Sequence, residues 1–206
     1  MKALIWDNFK REKIEKILNE KDSVIDIGAG LKAWKNKGDR YQKNAWPHLE
    51  KVKVLDPIPD YNPDIVGDIH HLPFDDNSQD AIICHSVLEH VENPFLATQE
   101  LFRVLKPGGY CYVSVPFLYY YHAEKGYYKD YWRFSKDALN LLFKNFSHVE
   151  LMPIRGAIST LINLTPLASR LPAWRPFIDR LGFALDKLFG KIKTNQVSGY
   201  NVFLIK

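Results

Sequence analysis

The sequence predicts an α/β fold in which a mostly parallel seven-stranded sheet lies between helices on both faces. Short apolar, β-branched runs alternate with helical patterns, which is typical of parallel sheets. Two runs follow the last clear helix, which predicts an antiparallel pair at the sheet edge and an antiparallel final strand. The seven candidate strands are residues 23–27, 51–56, 64–69, 80–86, 110–116, 148–154 and 200–206.

Three helices have recognisable signals. Residues 7–20 place apolar side chains on one face among many charges. Asn93 followed by Pro94 is a capping residue with proline at the first helical position, and this helix should stop at the Lys-Pro-Gly-Gly sequence of residues 106–109. Ser135 is expected to cap the third helix.

The length predicts one domain over residues 1–206, with an N-terminal helix in 1–22 and a helical insertion at 156–195. The insertion is rich in Leu, Pro, Phe and Arg, and its apolar side chains from Phe177 to Phe189 recur at helical spacing. Such a stripe commonly packs on its own domain. A lid, a dimer surface or an interfacial helix that contacts a membrane peripherally are the alternatives.

Charge and cysteine content exclude some classes of protein. The net charge is +4, and the Lys and Arg residues are scattered rather than clustered, so no nucleic-acid partner is expected. Cys84 and Cys111 lie in apolar runs without a CxxC pair, which fits a reducing cytoplasm. Charges come too early at the N-terminus for a secretory signal, and no run approaches the ~18 apolar residues of a transmembrane segment.

Glycines and acids follow the first three predicted strands. VIDIGAG puts Gly28 and Gly30 at the carboxyl end of the first strand, where open α/β sheets bind ligands. Asp26 lies within that strand, and Asp56 and Asp68 are expected to end the second and third strands. One such acid commonly only caps a turn. Three in series after a glycine turn favour ligand binding.

The motifs that follow carry a resemblance to a known family. VIDIGAG, VLD, GDIHHLPF, HSVLEH and RVLKPGG occur in the order found in class I S-adenosylmethionine-dependent methyltransferases, most closely a small bacterial branch. The similarity covers roughly residues 23–150 and the final strand, 200–206. It implies a Rossmann-like three-layer sandwich and S-adenosyl-L-methionine as the cofactor.

The resemblance also implies a role for each matching residue. Asp26 and the Gly28-Ala29-Gly30 turn would line the methionine half of the cofactor, with His85 near its methionine end. Asp56 would hold the ribose hydroxyls. Asp68 and Ile69 would flank the adenine. The sequence departs from the family after Gly30, where Leu-Lys-Ala-Trp follows.

HSVLEH contains two histidines and a glutamate, but neither HExxH nor HxxEH is present, so no metal is predicted. Glu89 and His90 are expected to tie the loop to the next helix. His122 is the first candidate for a base that deprotonates an oxygen acceptor, and His85 is the second. A surface or cofactor-contacting role is an equal alternative for each.

The predicted function is methyl transfer from S-adenosyl-L-methionine to a small-molecule or sugar- or lipid-like acceptor, with oxygen as the favoured atom. One alternative is a catalytically silent binding partner that keeps the fold. Another is a nicotinamide-dependent oxidoreductase, which is disfavoured because Asp56 follows Gly28 by more than the ~20 residues of that fingerprint and because the later motifs do not belong to it. Ala33 in place of the third glycine is weak evidence, since alanine is sometimes tolerated there. A homodimer is left open.

Overall fold

The computed structural model describes residues 3–30, 46–165 and 174–206. Its seven-stranded sheet has the order β3-β2-β1-β4-β5-β7-β6. β1 to β5 are parallel, and β7 is antiparallel to both β5 and β6, which confirms the predicted fold class. The strands are β1 Val24–Ile27, β2 Val52–Asp56, β3 Ile65–Val66, β4 Gln79–His85, β5 Leu105–Pro116, β6 His148–Ile154 and β7 Gly199–Ile205.

Five α-helices lie in the described residues: α1 Ile5–Glu20, α2 Pro94–Val104, α3 Lys136–Leu142, α4 Ala157–Leu164 and α5 Arg175–Leu188. Both predicted caps are present. The Asn93 side chain accepts a hydrogen bond from the Leu96 amide at 3.1 Å, and Ser135 accepts one from the Ala138 amide at 3.2 Å. These bonds satisfy backbone donors that have no partner within the helix.

Two strands differ from the sequence prediction. β3 has only two residues, because the chain turns at Gly67 and the Asp68 backbone forms an isolated bridge with His71. Asp68 therefore lies beyond the strand rather than at its end. β5 begins at Leu105, directly after α2, so the predicted Lys-Pro-Gly-Gly stop belongs to the strand.

The sheet is buried on both faces, as expected for parallel strands covered by helices. Alternate residues of one strand face opposite cores, and β1 shows this division. Ile25 and Ile27 pack in the cluster that contains α2 and α3, while Val24 packs with α1. The apolar residues of α1 in that second cluster are Phe9, Ile14, Ile17 and Leu18.

The described part of the 156–195 insertion is an antiparallel pair of helices held by a buried carboxylate. Asp186 on α5 is fully buried and accepts hydrogen bonds from the amides of Gly156, Ile158 and Ser159 at the start of α4. It also accepts one from the Ser159 hydroxyl. Residues 166–173 of the insertion, and Ala33 after the glycine turn, lie outside the described residues.

The outer face of α5 is apolar and exposed, with Phe177 60% and Leu188 74% exposed. Within the described ranges, no helix combines the length and the hydropathy needed to cross a bilayer.

Candidate active site

A cleft of about 1010 Å³ lies over the carboxyl ends of β1, β2, β4 and β5. The order of the sheet reverses between β1 and β4, and this switch point is where open α/β sheets bind ligands. The cleft is closed on one side by residues of α1 and on another by the loop of residues 117–134.

The glycine turn after β1 forms the floor of the cleft. Gly28 and Gly30 both have positive φ, +67° and +57°, which L side chains rarely adopt. A Cβ on Gly28 would come within 2.5 Å of Val87 Cγ2. The Gly28 amide donates to the Leu55 carbonyl at 2.8 Å, which joins the turn to β2.

Asp56 fixes the same turn from the neighbouring strand. Its Oδ2 accepts from the Gly30 amide at 3.0 Å, and its Oδ1 accepts from the Ile58 amide at 3.0 Å. Tyr61 stands beside Gly30 and stacks on Tyr127 of the distant loop, with ring centroids 5.2 Å apart. Burial raises the pKa of Tyr61 to about 12, so it is a neutral phenol near pH 7.

Asp68 and Ile69 line the same cleft, Asp68 exposed and Ile69 buried. Burial opposes ionisation of Asp68, but hydrogen bonds from the His70 amide and ring outweigh it and lower its pKa. His70 also contacts the start of α2. Its Nε2 lies 3.3 Å from the Asn93 amide and so ties the turn to the start of α2.

Asp26 is the predicted cofactor residue that the cleft does not include. It is fully buried in the middle of β1, and the lining of the cleft begins one residue later, at Ile27. The cofactor-binding role predicted for Asp26 stays a prediction.

His85 ends β4 and meets α1. Its Nε2 lies 3.2 Å from the Lys10 ammonium, and its Nδ1 lies 3.1 Å from the Ser86 hydroxyl. An ammonium only donates, so the Nε2 lone pair accepts from Lys10. That lone pair is not available to deprotonate an acceptor, which argues against His85 as a base.

His122 meets Glu89 and His90 at the other end of the cleft. The Nε2 atoms of His122 and His90 lie 3.6 and 3.9 Å from Glu89 Oε1. The neighbouring Glu89 carboxylate raises the pKa of His122 above its ordinary value, because it stabilises the protonated ring. Glu89 is 1% exposed, and among the described residues its Oε2 has no hydrogen-bond partner.

The loop of residues 117–134, which carries His122, is held by bonds within itself and by bonds to Glu89. The Asp130 carboxylate accepts from the His122 amide at 2.8 Å and pairs with Arg133. The Arg133 guanidinium lowers the pKa of Asp130 to about 2, so this carboxylate is ionised near pH 7. The Glu89 carbonyl accepts from the Tyr131 and Trp132 amides at 2.7 and 3.2 Å.

Three cleft residues of α1 were missed by sequence reasoning: Trp6, Asp7 and Lys10. The periodicity of α1 shows which face is buried, but it does not show that the helix start reaches the cleft. Glu89 and His90 were read only as loop ties. The only sequence signal for a site at Glu89 and His90 was the isolated His122, which the fold brings next to them.

Comparisons with known proteins agree with this geometry. Residues 38–113 match the family model described as a methyltransferase domain. A stretch of 45 residues is 51% identical to an uncharacterized methyltransferase of Schizosaccharomyces pombe, covering 22% of this chain and 16% of that protein. A stretch of 107 residues is 35% identical to an uncharacterized protein of Methanocaldococcus jannaschii, covering 50% of this chain and 44% of that protein. The chain thus spans less than half of either relative.

The crystal structure of a SAM-dependent methyltransferase from Archaeoglobus fulgidus has the same fold. It aligns with a TM-score of 0.58 over 97% of this chain and 94% of that chain, at 12% identity. The fold is therefore that of a SAM-dependent methyltransferase structure, and residues 38–113 match a methyltransferase domain. S-adenosyl-L-methionine is the cofactor that these matches imply.

Proposed function

We propose that the protein transfers a methyl group from S-adenosyl-L-methionine to an oxygen atom of a small-molecule acceptor. The observation that carries the proposal is the Gly28–Gly30 turn, which Asp56 holds at the switch point of a methyltransferase-type sheet. A family match over residues 38–113 supports the same activity.

The residues of the cleft fit the cofactor. Gly28, Ala29 and Gly30 all line the cleft, and Tyr61 lies at van der Waals distance, 3.6 Å, from the Cβ position of Gly30, so a ligand would meet the turn and the Tyr61 ring together. A carboxylate has about four acceptor sites, and Asp56 can therefore bind ribose hydroxyls while it holds the turn. Asp68 and Ile69 suit the adenine, and Lys10 offers a positive charge to the carboxylate of the methionine part.

The cofactor, when bound, supplies a methyl group already activated on a positively charged sulfur. The chain must then hold an acceptor in line with that methyl group and keep water away. Tyr119, Tyr127, Tyr128 and Tyr131 wall the acceptor end of the cleft. Their rings also favour a nearby sulfonium through cation–π attraction. His122 is the candidate proton acceptor on this side.

Calorimetric titration of the purified protein with S-adenosylmethionine, S-adenosylhomocysteine and NAD⁺ tests the cofactor. We expect roughly micromolar dissociation constants for the first two and no heat from NAD⁺. Binding of NAD⁺ alone would favour the oxidoreductase alternative. Binding of none of the three would favour a silent binding partner.

Methyl transfer to defined acceptors tests the target atom. The protein is incubated with methyl-tritiated S-adenosylmethionine and matched compounds that carry either a hydroxyl or an amine on the same skeleton. Label in the hydroxyl compounds supports the proposal. Label confined to the amines would replace oxygen with nitrogen.

A second candidate acceptor is lipid-like, and the exposed apolar side chains of α4 and α5 favour it. Leu161, Phe177 and Leu188 protrude from these helices, and Lys187, Lys191 and Lys193 are nearby in sequence. Apolar residues beside lysines suit peripheral contact with an anionic membrane. Co-sedimentation with phosphatidylserine vesicles but not phosphatidylcholine vesicles would support this. Dimers in sedimentation velocity without vesicle binding would assign the face to a homodimer.

A further inference from the structure

We propose that Glu89, His90 and His122 form a binding site for a divalent transition-metal cation at the acceptor end of the cleft. One ligand atom from each residue can be chosen so that all three lie within 4.8 Å of one another. Ligand atoms that each stand about 2.0–2.2 Å from one metal lie roughly 3–4 Å apart. The separations of 3.6 and 3.9 Å from Glu89 Oε1 to the two imidazole nitrogens fall in this range.

Both imidazoles are oriented for metal binding by their other nitrogen. His90 Nδ1 lies 2.7 Å from the Lys129 carbonyl, and His122 Nδ1 lies 3.1 Å from the Tyr120 carbonyl. A carbonyl only accepts, so each Nδ1 is assigned as the protonated nitrogen, which leaves a lone pair on each Nε2 of the neutral ring. Metal-binding histidines are commonly fixed in this way by a backbone carbonyl or a carboxylate.

Glu89 gives an independent reason to expect a ligand. Its side chain is 1% exposed, and Oε2 is buried with no hydrogen-bond partner in the part of the chain that the structure describes. A buried ionised carboxylate is costly unless it is paired or coordinates a metal. A protonated His122 would face Oε1 and would leave Oε2 unsatisfied, whereas a bound cation compensates the charge of the whole carboxylate.

The ligand set indicates the kind of cation. Two imidazoles and one carboxylate suit zinc, manganese or iron(II), while magnesium and calcium prefer oxygen ligands. Three protein ligands leave at least one coordination position for water or substrate, as in catalytic rather than structural sites. All three residues line the cleft beside Tyr119 and Tyr128, so the open position is accessible to an acceptor.

The catalytic role of this site rests on the proposed methyl transfer. A hydroxyl of the acceptor would bind the cation, which lowers the pKa of the hydroxyl, and its proton would leave to solvent. The resulting oxygen forms a bond to the methyl carbon as the bond from that carbon to sulfur breaks. The electron pair of the broken bond stays on sulfur, giving the methyl ether and neutral S-adenosylhomocysteine. His122 is then a metal ligand rather than a base.

Direct metal titration tests the site without any assay of activity. Tag-free protein is stripped with EDTA and titrated with Zn²⁺ by calorimetry and with Co²⁺ by visible absorption. We expect one equivalent to bind, with Co²⁺ bands that report nitrogen and oxygen ligands. Glu89→Gln and His122→Ala should each weaken binding by more than the roughly 10- to 100-fold that loss of a supporting outer contact causes.

His148→Ala is the matched control, because His148 lies on the edge strand β6 with its side chain 52% exposed and outside the cleft. It should bind the metal as the wild type does. Absence of stoichiometric binding, or equal binding by wild type and both site variants, would overturn the proposal. If Glu89→Gln fails to fold, the partly exposed His122 still supplies the test.

Titration with S-adenosylmethionine in parallel separates the two proposals. Binding of the cofactor without metal would remove only the metal site. Binding of metal without the cofactor would leave the metal site standing and remove the proposed methyl transfer.

Discussion

The two ends of the cleft are built in different ways. At the cofactor end, Gly28, Gly30 and Asp56 follow directly from strands β1 and β2, and hydrogen bonds of 2.8 to 3.0 Å join one strand end to the next. At the acceptor end, Glu89 and His122 come from two separate segments that follow no common strand pattern, and backbone hydrogen bonds join those segments.

The difference explains why the first end could be read from the sequence and the second could not. Parallel strands bring their carboxyl ends to one edge, so residues that follow each strand must come together. No comparable rule predicts from sequence which residues of two loops will meet. The meeting of Glu89 and His122 depends on the Tyr131 and Trp132 amides, which donate to the Glu89 carbonyl.

Gly28→Ala should have the largest effect on the cofactor end. The left-handed backbone alone costs about 1–2 kcal/mol with a Cβ, and that Cβ would also collide with the stiff side chain of Val87. The turn must shift, and we expect affinity for S-adenosylmethionine to fall by about 100-fold, which corresponds to ~2.7 kcal/mol. Calorimetry measures the affinity, and urea unfolding measures the stability.

Gly108→Ala is the matched control for the backbone cost. Gly108 also has positive φ, +75°, but among the described residues nothing lies within 4 Å of its Cβ position. It should lose about 1–2 kcal/mol of stability and keep its cofactor affinity. If Gly28→Ala bound as tightly as this control, the turn would not be part of the cofactor site.

Asp56→Ala comes next. The substitution removes charge-assisted hydrogen bonds to the ribose and the support of the Gly30 amide, and should weaken cofactor binding by about 1.5–3 kcal/mol, or roughly 10- to 100-fold. Asp60→Ala, at an exposed acid in the following turn, should bind normally. An unchanged affinity in a folded Asp56→Ala protein would end the ribose assignment.

The mostly parallel seven-stranded sheet, its antiparallel final strand and the glycine turn were all predictable, because they follow from local patterns and from topology. The prediction of β6 at 148–154 agrees with its observed bounds. Asp68 was wrongly taken as the end of β3, because a side-chain bond to His70 and the bridge to His71 turn the chain earlier. The contact of Lys10 with His85 spans 75 positions and has no sequence pattern.

Substitution of His85 and of His122 tests whether the two ends of the cleft act independently. His85→Ala should weaken cofactor binding by about 1 kcal/mol, or roughly fivefold, because Lys10 loses the partner that positions it. His122→Ala should change cofactor affinity by less than about twofold, since its contacts are with Glu89 and its own loop. Equal losses in both variants, measured by calorimetry, would mean that the two ends act as one site.

Glu100 lies outside the cleft and holds a segment at its cofactor end. Its substitution should have the smallest effect on cofactor affinity. Its carboxylate accepts from Arg103 and from the Leu72 amide at 2.9 Å, which holds the segment after Asp68 and Ile69 against α2. Arg103 lowers the pKa of Glu100 below its ordinary value of 4.5. Glu100→Gln should cost about 1 kcal/mol of stability near neutral pH and leave cofactor affinity within about twofold.

The sign of the pH dependence follows from the lowered pKa. The folded state binds a proton on Glu100 less readily than the unfolded state, so the stabilisation is complete above pH 4.5 and is lost as the pH falls through the folded pKa. Urea unfolding should therefore separate wild type from Glu100→Gln at about pH 7 and bring them together at about pH 3. Glu50→Gln, at a side chain that is 74% exposed, should differ from wild type by less than about 0.5 kcal/mol at either pH. If the difference in unfolding free energy between wild type and Glu100→Gln persisted at low pH, it would come from packing rather than from charge. Arg103 and Glu100 would then support the segment after Asp68 and Ile69 through steric contact alone.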